Sequence, residues 1–239
     1  KYIAYSQEDL NFDSEIFIQS VENPNNKFNV SMHPRSDIAP VWSPDGKKLA
    51  FASNRSGNRG GIDYDVWMVW LKKEDWERSK TDRENGDYYA GKEADTDKKE
   101  KEEEKQIKVT IDTEKIFDRL SRITRLPDDE FGGMFGPESK HVYYSATDPS
   151  TNKRSFFKVK LDGSSPKVIK ETSKVGRVAD IDGTFYFTSG GKLKQLNPKG
   201  DKITSLAHIV KYNEDFAAMN QQIYQEGTRV LTMGFYDPN

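Results

Sequence analysis

The chain has 239 residues, of which 32% are charged and 34% hydrophobic, and its formal net charge is −2 with an isoelectric point near 6.0. This balance leaves no basic excess to bind nucleic acid through its phosphates, so nucleic acid is excluded as a partner. The chain has no cysteine, which excludes disulfides, thiolate metal sites and a cysteine nucleophile. No apolar run approaches the roughly 20 residues of a membrane-spanning helix, so no membrane association is predicted.

The chain opens with short segments of strand character. Residues 1–6, 15–18 and 27–30 are rich in apolar, aromatic and β-branched side chains, and polar residues separate them. This pattern is typical of consecutive β-strands joined by turns.

An alternating polar stretch lies between the first two of these segments. Asp9, Asn11, Asp13 and Glu15 have the spacing of oxygen ligands in a calcium loop. However, Ser14 stands where that loop requires glycine, and the distal glutamate is missing. We therefore interpret the stretch as a polar loop between strands and predict no metal site.

The clearest repeat unit covers residues 40–57 and continues into an apolar stretch at 64–71. Its centre, Pro44-Asp45-Gly46, is a tight-turn sequence, because proline restricts φ, aspartate bonds the backbone and glycine accepts positive φ. The strand after the turn places Leu49 and Phe51 on one face and small alanines on the other, which lets a neighbouring sheet pack closely. The unit therefore predicts strand, turn, strand, loop and strand.

Residues 72–106 form a charged insertion with both signs mixed and few apolar side chains. Such a segment buries too little surface to offset the entropy of ordering, so we expect a solvated surface insertion, either mobile or a loose helix. Trp76 lies within it, and an exposed aromatic side chain there would be a candidate contact for another domain. A docking segment for a partner is the alternative interpretation.

Weaker copies of the unit begin near residues 1, 135 and 181, about 40–50 residues apart once the insertion is removed. Further strand-like segments follow the later copies at 155–161, 167–169, 192–196 and 202–206. This period predicts an all-β fold of β-propeller blades with about four strands each. A β-sandwich is the alternative fold.

The strand pattern stops near residue 210. From Glu214 to Met233 the apolar residues fall at roughly helical spacing, with Asn213 as a candidate cap and Gly227 as a possible interruption. We expect a short C-terminal helical segment that belongs to a different domain.

The block Trp42–Phe51, followed by Ser53-Asn54-Arg55, resembles the Pro-Asp propeller repeat of TolB and of tricorn-type proteases. Residues 107–112 followed by 116–127 resemble a blade segment of the tricorn-like family, in which an Asp-led strand precedes a turn and a strand ending in Leu-Pro. The glycine that is usual after Asp118 is missing here. Residues 226–239 resemble the first helix of that family's core domain, which ends in Phe-Tyr-Asp, although Gly227-Thr228 replaces the usual Ala-Trp.

The resemblance implies propeller blades over residues 1–209, with 72–106 as the insertion, and the start of a helical core domain over 210–239. We expect about four blades of a seven-bladed ring. In the family's plan a PDZ-like domain and a serine-protease domain follow, so the chain is expected to be a segment of a longer protein.

No catalytic residue, cofactor site or metal site is predicted in this chain. His33, His141 and His208 stand in no nucleophile motif, and we interpret all three as surface or packing residues. Asp45 is interpreted as a turn residue. The glycine pairs at 132–133 and 190–191 are interpreted as turns, because neither fits a phosphate loop.

The resemblance implies a non-catalytic propeller segment that gates or guides peptides to a protease domain outside this chain. Its partners are then the peptide substrate and the other domains of an oligomeric parent serine peptidase, a hydrolase. The alternative is a TolB-like scaffold for protein–protein binding. The tail after residue 210 distinguishes the two functions, because a stand-alone scaffold propeller would not need it. A propeller glycosidase or lactonase needs inward carboxylates or a metal, and no pair suggests itself. A periplasmic or extracellular location is expected, with the cytoplasm as alternative.

Overall fold

The computed structural model describes residues 1–56, 63–84, 109–172, 175–181, 184–197, 200–207 and 215–234. The chain divides into two compact units, Lys1–Leu206 and Ala207–Asn239. In the first unit the described residues form four antiparallel sheets.

Each sheet is a run of strands that follow one another in the chain. Sheet 1 contains β1 (Tyr2–Glu8), β2 (Ser14–Ser20) and β3 (Lys27–Asn29). Sheet 2 contains β4 (Asp37–Trp42), β5 (Lys48–Ser53), β6 (Asp65–Trp70) and β7 (Leu120–Arg122). Sheet 3 contains β8 (Phe131–Phe135), β9 (His141–Asp148), β10 (Lys153–Lys160) and β11 (Lys167–Glu171). Sheet 4 contains β12 (Val175–Ile181), β13 (Thr184–Ser189), β14 (Lys192–Leu196) and β15 (Ile203–Ser205).

The sheets are arranged as propeller blades. The first strands of sheets 2, 3 and 4 (β4, β8 and β12) contact one another in turn, whereas β7, β11 and β15 lie at the opposite edges. The first strands are therefore the inner strands, next to the propeller axis. The predicted all-β propeller fold is confirmed, while the number of blades in a full ring stays a prediction.

Apolar side chains fill the interfaces between successive sheets. Leu49 and Phe51 face sheet 1, and Ala50 faces sheet 3, as the alternation predicted. Trp42 packs in the interface between sheets 1 and 2, and Trp67 and Trp70 lie on opposite faces of β6. Sheets 3 and 4 meet through a further buried cluster, Met134, Tyr143, Phe156, Val175, Phe185, Phe187, Leu196 and Ile203.

The connection between β6 and β7 contains a helix, one of the two forms expected for the charged insertion, but residues 109–112 lack the strand that the resemblance implied. Helix α1 (Lys73–Glu84) occupies the described part of the charged insertion, and Trp76 on it is partly buried against the interface between sheets 2 and 3. Residues 109–112 are not a strand; Val109 and Ile111 pack against the interface between sheets 1 and 2 instead. Residues 85–106 of the insertion lie outside the described residues.

Arg119 supplies hydrogen-bond donors to the backbone of this irregular connection. It lies in a 3₁₀ turn at Ile116–Arg119 and is buried. Its guanidinium donates hydrogen bonds to backbone carbonyls, among them those of Trp70 (2.9 Å) and Glu114 (3.1 Å). These bonds give the carbonyls the hydrogen-bond partners that buried backbone groups require.

The second unit contains helix α2 (Phe216–Gly234). Its cap is Asp215, whose Oδ1 accepts hydrogen bonds from the backbone N–H groups of Ala217 (3.0 Å) and Ala218 (3.1 Å). The predicted cap, Asn213, lies outside the described residues, as do residues 235–239. Gly227 does not interrupt the helix, because one internal glycine costs only about 1 kcal/mol.

A methyl group at Gly133 on β8 is expected to destabilise the chain. It would lie 2.7 Å from Cγ1 and 3.1 Å from Cγ2 of Val66 on β6, so the Gly133→Ala variant is expected to lose about 1–3 kcal/mol of unfolding free energy. Urea unfolding measures the loss. In a Val66→Ala background the same change is expected to cost at least about 1 kcal/mol less, because the clash is removed. Equal costs in both backgrounds would contradict this packing explanation.

Candidate functional site

An apolar pocket of about 370 Å³ lies beside the inner strands of sheets 2, 3 and 4. Its volume is in the range of small-ligand sites. Every lining residue is uncharged: Ala39, Pro40, Val41, Trp42, Pro44, Ala52, Phe131, Gly132, Gly133, Met134, Phe135, Val178 and Phe185. The pocket therefore favours apolar groups.

Bulges in the inner strands shape the wall of this pocket. The pairing of β4 with β5 skips residues 39–40, and the pairing of β8 with β9 skips residues 132–133. Ala39 has a φ of 55° and Gly132 a φ of 72°, and both line the pocket. A bulge leaves its residues out of the ladder, so backbone polar groups occur within an otherwise apolar wall. The predicted turn at Gly132-Gly133 is thus a bulge within a strand.

A buried ion pair joins the start of β4 to the end of β5. Arg55 Nη2 donates to Asp37 Oδ2 at 2.7 Å, and the two side chains are 8% and 0% exposed. Arg55 Nε also donates to Ser53 Oγ (2.9 Å), and the guanidinium lies 4.9 Å from the ring centre of Trp67. Burial raises the pKa of Asp37, although Ser53 and Arg55 oppose the rise. The pair fixes the inner strand against its neighbour.

His33 lies on the loop that leads into β4. Its backbone N–H donates to Glu15 Oε1 at 3.0 Å, while its Nδ1 is buried without a hydrogen-bond partner among the described residues. Burial lowers the His33 pKa, and the positive charge of Arg55 lowers it further. These surroundings favour the neutral ring.

Glu130 occupies in sheet 3 the position of Asp37 in sheet 2, two residues before the bulge. It is fully buried, and its carboxylate accepts hydrogen bonds from Thr124 Oγ1 (2.6 Å) and from the Leu126 backbone N–H (2.5 Å). Burial raises the pKa of Glu130 to about 8, and neighbouring Asp65 adds to the rise. Arg122 pairs with Asp65 at 2.7 Å. Sheet 3 therefore places a protonatable acid where sheet 2 has an ion pair.

The alternating oxygen groups at residues 9–15 do not converge on one point. Asp9 Oδ1 accepts hydrogen bonds from the backbone N–H groups of Asn11 (2.7 Å) and Asp13 (3.1 Å). Glu15 instead turns to Ser31, whose hydroxyl donates to Oε2 at 2.5 Å. Within the ranges that the structure describes, no three His, Asp or Glu side chains are placed to hold a metal ion.

Asp45 lies in the turn between β4 and β5, with Gly46 at a φ of 66°. Its Oδ1 accepts hydrogen bonds from Ser43 Oγ (2.5 Å) and the Lys47 N–H (3.0 Å), and its Oδ2 pairs with Lys48 Nζ. Burial by itself would raise the Asp45 pKa, but Lys48 and the hydrogen bonds outweigh it, and the pKa is lowered.

The other candidates lie apart from the pocket. Gly190 and Gly191 form the turn between β13 and β14, with φ values of 59° and 69°. His141 begins β9 and borders a different pocket, and His208 lies outside the described residues.

Sequence reasoning missed the Asp37–Arg55 pair and Glu130. The available signal was an acidic residue at the beginning of each of two inner strands, Asp37 as the first residue of β4 and Glu130 directly before β8, with Arg55 closing the repeat block. Pairing across the sheet, which a single sequence does not display, is what brings these groups together.

No protein-family profile matches the sequence, and no curated protein matches it. Solved propeller-containing structures do match. Tricorn protease aligns with a TM-score of 0.62 at 14% identity, over 99% of this chain and 24% of that chain. A putative TolB from Agrobacterium tumefaciens aligns with a TM-score of 0.53 at 13% identity, over 85% of this chain and 60% of that chain. A puromycin-hydrolyzing peptidase from Mycobacterium tuberculosis aligns with a TM-score of 0.50 at 12% identity, over 81% of this chain and 26% of that chain.

These likenesses establish the fold, a β-propeller of the kind found in TolB and in tricorn protease. The chain spans between about a quarter and three fifths of the length of these structures. Among the described helices, none has both the length and the apolarity needed to cross a bilayer.

Proposed function

We propose that this chain is a non-catalytic propeller segment of a tricorn-like serine peptidase, and that it guides peptide substrates toward a protease domain outside it. The observation that supports this role is the uncharged pocket of about 370 Å³ beside the inner strands. The proposal assigns no reaction to the chain.

The wall of the pocket suits an extended peptide. Apolar side chains enter it without leaving a charge unpaired. The strand pairing skips the bulge residues 39–40 and 132–133, and we propose that their backbone groups bond the peptide main chain. Proline and glycine in the bulges make these strands poor templates for continuous strand pairing. Weak, side-chain-directed binding of this kind is compatible with passage of a peptide.

The likeness to the Agrobacterium TolB structure supports a second candidate, a scaffold that binds folded proteins. The two functions differ in the ligand. A guiding propeller binds short unstructured peptides, whereas a scaffold requires a folded partner surface.

We also infer that residues 210–239 begin a helical core domain of the parent. Within α2 several large apolar side chains are exposed, among them Phe216, Leu231 and Met233. Exposed apolar groups of this number are typical of surfaces that further chain covers. The parent is proposed to be an oligomer in the periplasm or outside the cell.

The Val41→Lys variant is expected to bind peptide at least about tenfold more weakly, because an ammonium group in an apolar pocket loses hydration. The probe is a blocked hexapeptide of alternating leucine and serine, and Trp42 in the pocket wall reports binding by fluorescence. Val21→Lys is the matched control, since Val21 is 53% exposed and lies outside the pocket. Equal weakening in both variants, or no peptide binding by the unmodified chain, would contradict the proposal. Binding of folded proteins alone would favour the scaffold.

A further inference from the structure

The interface between sheets 3 and 4 loses its apolar character at one end. Sheets 2 and 3 correspond through their turns, where Gly46 and Ser139 have φ values of 66° and 54°. In the register of β5 against β6 in sheet 2, Lys48 lies opposite Trp70 and Ala50 lies opposite Met68. In sheet 3 the corresponding pairs are His141 with Lys160 and Tyr143 with Lys158.

The two sheets therefore differ in chemistry at equivalent positions. Met68 and Trp70 are 0% and 5% exposed and fill the interface between sheets 2 and 3. Lys158 and Lys160 replace them on the face of sheet 3 that meets sheet 4, beside the buried Tyr143 and Phe156. Lysines at positions that elsewhere hold core residues reduce apolar burial, so packing does not explain them. Such local departures from the fold's own pattern are typical of functional sites.

A pocket of about 280 Å³ lies where the lysines replace the core. Lys158, Lys160 and Lys167 line it together with His141, and Gly200 and Asp201 form the side that belongs to sheet 4. Three lysines and one aspartate give this lining a formal charge of +2. Asp201 is partly engaged, since its Oδ1 accepts a hydrogen bond from Asn197 Nδ2 at 2.7 Å.

The environment of His141 supports a positive potential in this pocket. Burial lowers the pKa of His141, and the charges of Lys158, Lys160 and Lys140 lower it further, while Glu138 opposes them. Lys158 lines the pocket, and its Nζ lies 5.6 Å from the ring centre of Tyr143, within the range of a cation–π contact.

We propose that this pocket binds a doubly charged oxyanion of the phosphate type, as free phosphate or as the phosphate ester of a small molecule. The ammonium groups of Lys158 and Lys167 contact it, the positive charge of Lys160 adds to the field that attracts it, and the imidazole ring of His141 donates a hydrogen bond to it. This site is separate from the inner-strand pocket and does not depend on the proposed function.

The test follows the ring signals of the three histidines of the full chain by NMR, as pH is varied with inorganic phosphate or with chloride at equal ionic strength. Phosphate is expected to raise the His141 pKa by at least about half a unit, because an adjacent phosphate anion favours the imidazolium. The His33 signal is the internal control and is expected to respond equally to both salts. His141→Gln assigns the signal. An equal His141 response to phosphate and chloride would overturn the proposal.

Lys158→Met places the residue of sheet 2 at the equivalent position, so the fold is expected to tolerate it. This variant is expected to reduce the His141 response to phosphate at least about fivefold, whereas Lys153→Met is expected to retain it. Lys153 lies on the same strand, is exposed and pairs with Glu171 at 3.0 Å. Lys167→Gln, at the exposed rim, provides a second test should Lys158→Met not fold. A response that survives both pocket variants overturns the site, and an equal response to acetate overturns the assignment to a dianion.

Discussion

Replacing Arg55 with methionine is expected to lower the unfolding free energy by about 3–5 kcal/mol, because Asp37 is then buried without its counter-ion. Asp37 has no exposed surface, and the 2.7 Å contact with Arg55 is its ion pair. Methionine retains apolar volume beside Trp67, so the loss reports the charge rather than a cavity. Urea unfolding at neutral pH measures it.

The matched control is Lys153→Met, which removes an exposed ion pair with Glu171 and is expected to cost less than about 1 kcal/mol. Adding Asp37→Asn to Arg55→Met is expected to restore part of the stability, since a neutral amide no longer requires a counter-ion. The loss in Arg55→Met is also expected to shrink in acid, where Asp37 takes up a proton. A loss of similar size in the control, or no recovery in the double variant, would show that the pair is not the cause.

The contribution of Glu130 to the unfolding free energy is expected to fall as pH rises from 5 to 8. The folded pKa of Glu130 is raised to about 8 from an ordinary value of 4.5. Folding therefore takes up a proton between these values. The stabilisation is complete below the unfolded pKa and is lost as pH rises through the folded pKa. Each pH unit inside this window is expected to cost up to about 1.4 kcal/mol.

Glu130→Gln isolates this effect, because the amide stays neutral at every pH. The wild type minus variant difference in unfolding free energy, measured in urea at several pH values, is expected to decline across the window. His33 and His141 have lowered pKa values and titrate in the opposite sense, and the subtraction removes their contribution. Glu171 is an exposed acid on sheet 3, and the Glu171→Gln variant is expected to show the same pH dependence of unfolding free energy as the wild type. A pH-independent difference for Glu130→Gln would contradict a raised pKa.

The two predictions concern Asp37 and Glu130, which occupy equivalent positions in neighbouring blades but have different hydrogen-bond partners. Asp37 is charged and paired with arginine, whereas Glu130 is held by a hydroxyl and a backbone N–H. Both stand two residues before a bulge that lines the inner-strand pocket. Rigid support behind the bulges keeps the pocket wall in place, which is a requirement of the proposed peptide-guiding role.

Local chemistry in the sequence was sufficient to predict the strands and turns of sheet 2. Pro44-Asp45-Gly46 forms its turn through contacts within a few residues, and the alternation around Leu49 and Phe51 assigns each face of β5. Because these effects act over short separations along the chain, one sequence is enough to reveal them. The repeat period then predicted the propeller blades.

Contacts between distant residues decided the remainder. Trp76 is partly buried because the interface between sheets 2 and 3 lies beside α1, and nothing in the charged insertion itself indicates this. Gly133 of sheet 3 approaches Val66 of sheet 2, and Asp37 at the beginning of β4 meets Arg55 just beyond the end of the neighbouring strand β5. The exchange of Met68 and Trp70 for Lys158 and Lys160 becomes visible only when strand register aligns the two blades. The alternating pattern specifies which face of a strand is buried, but register and blade order determine which groups meet there.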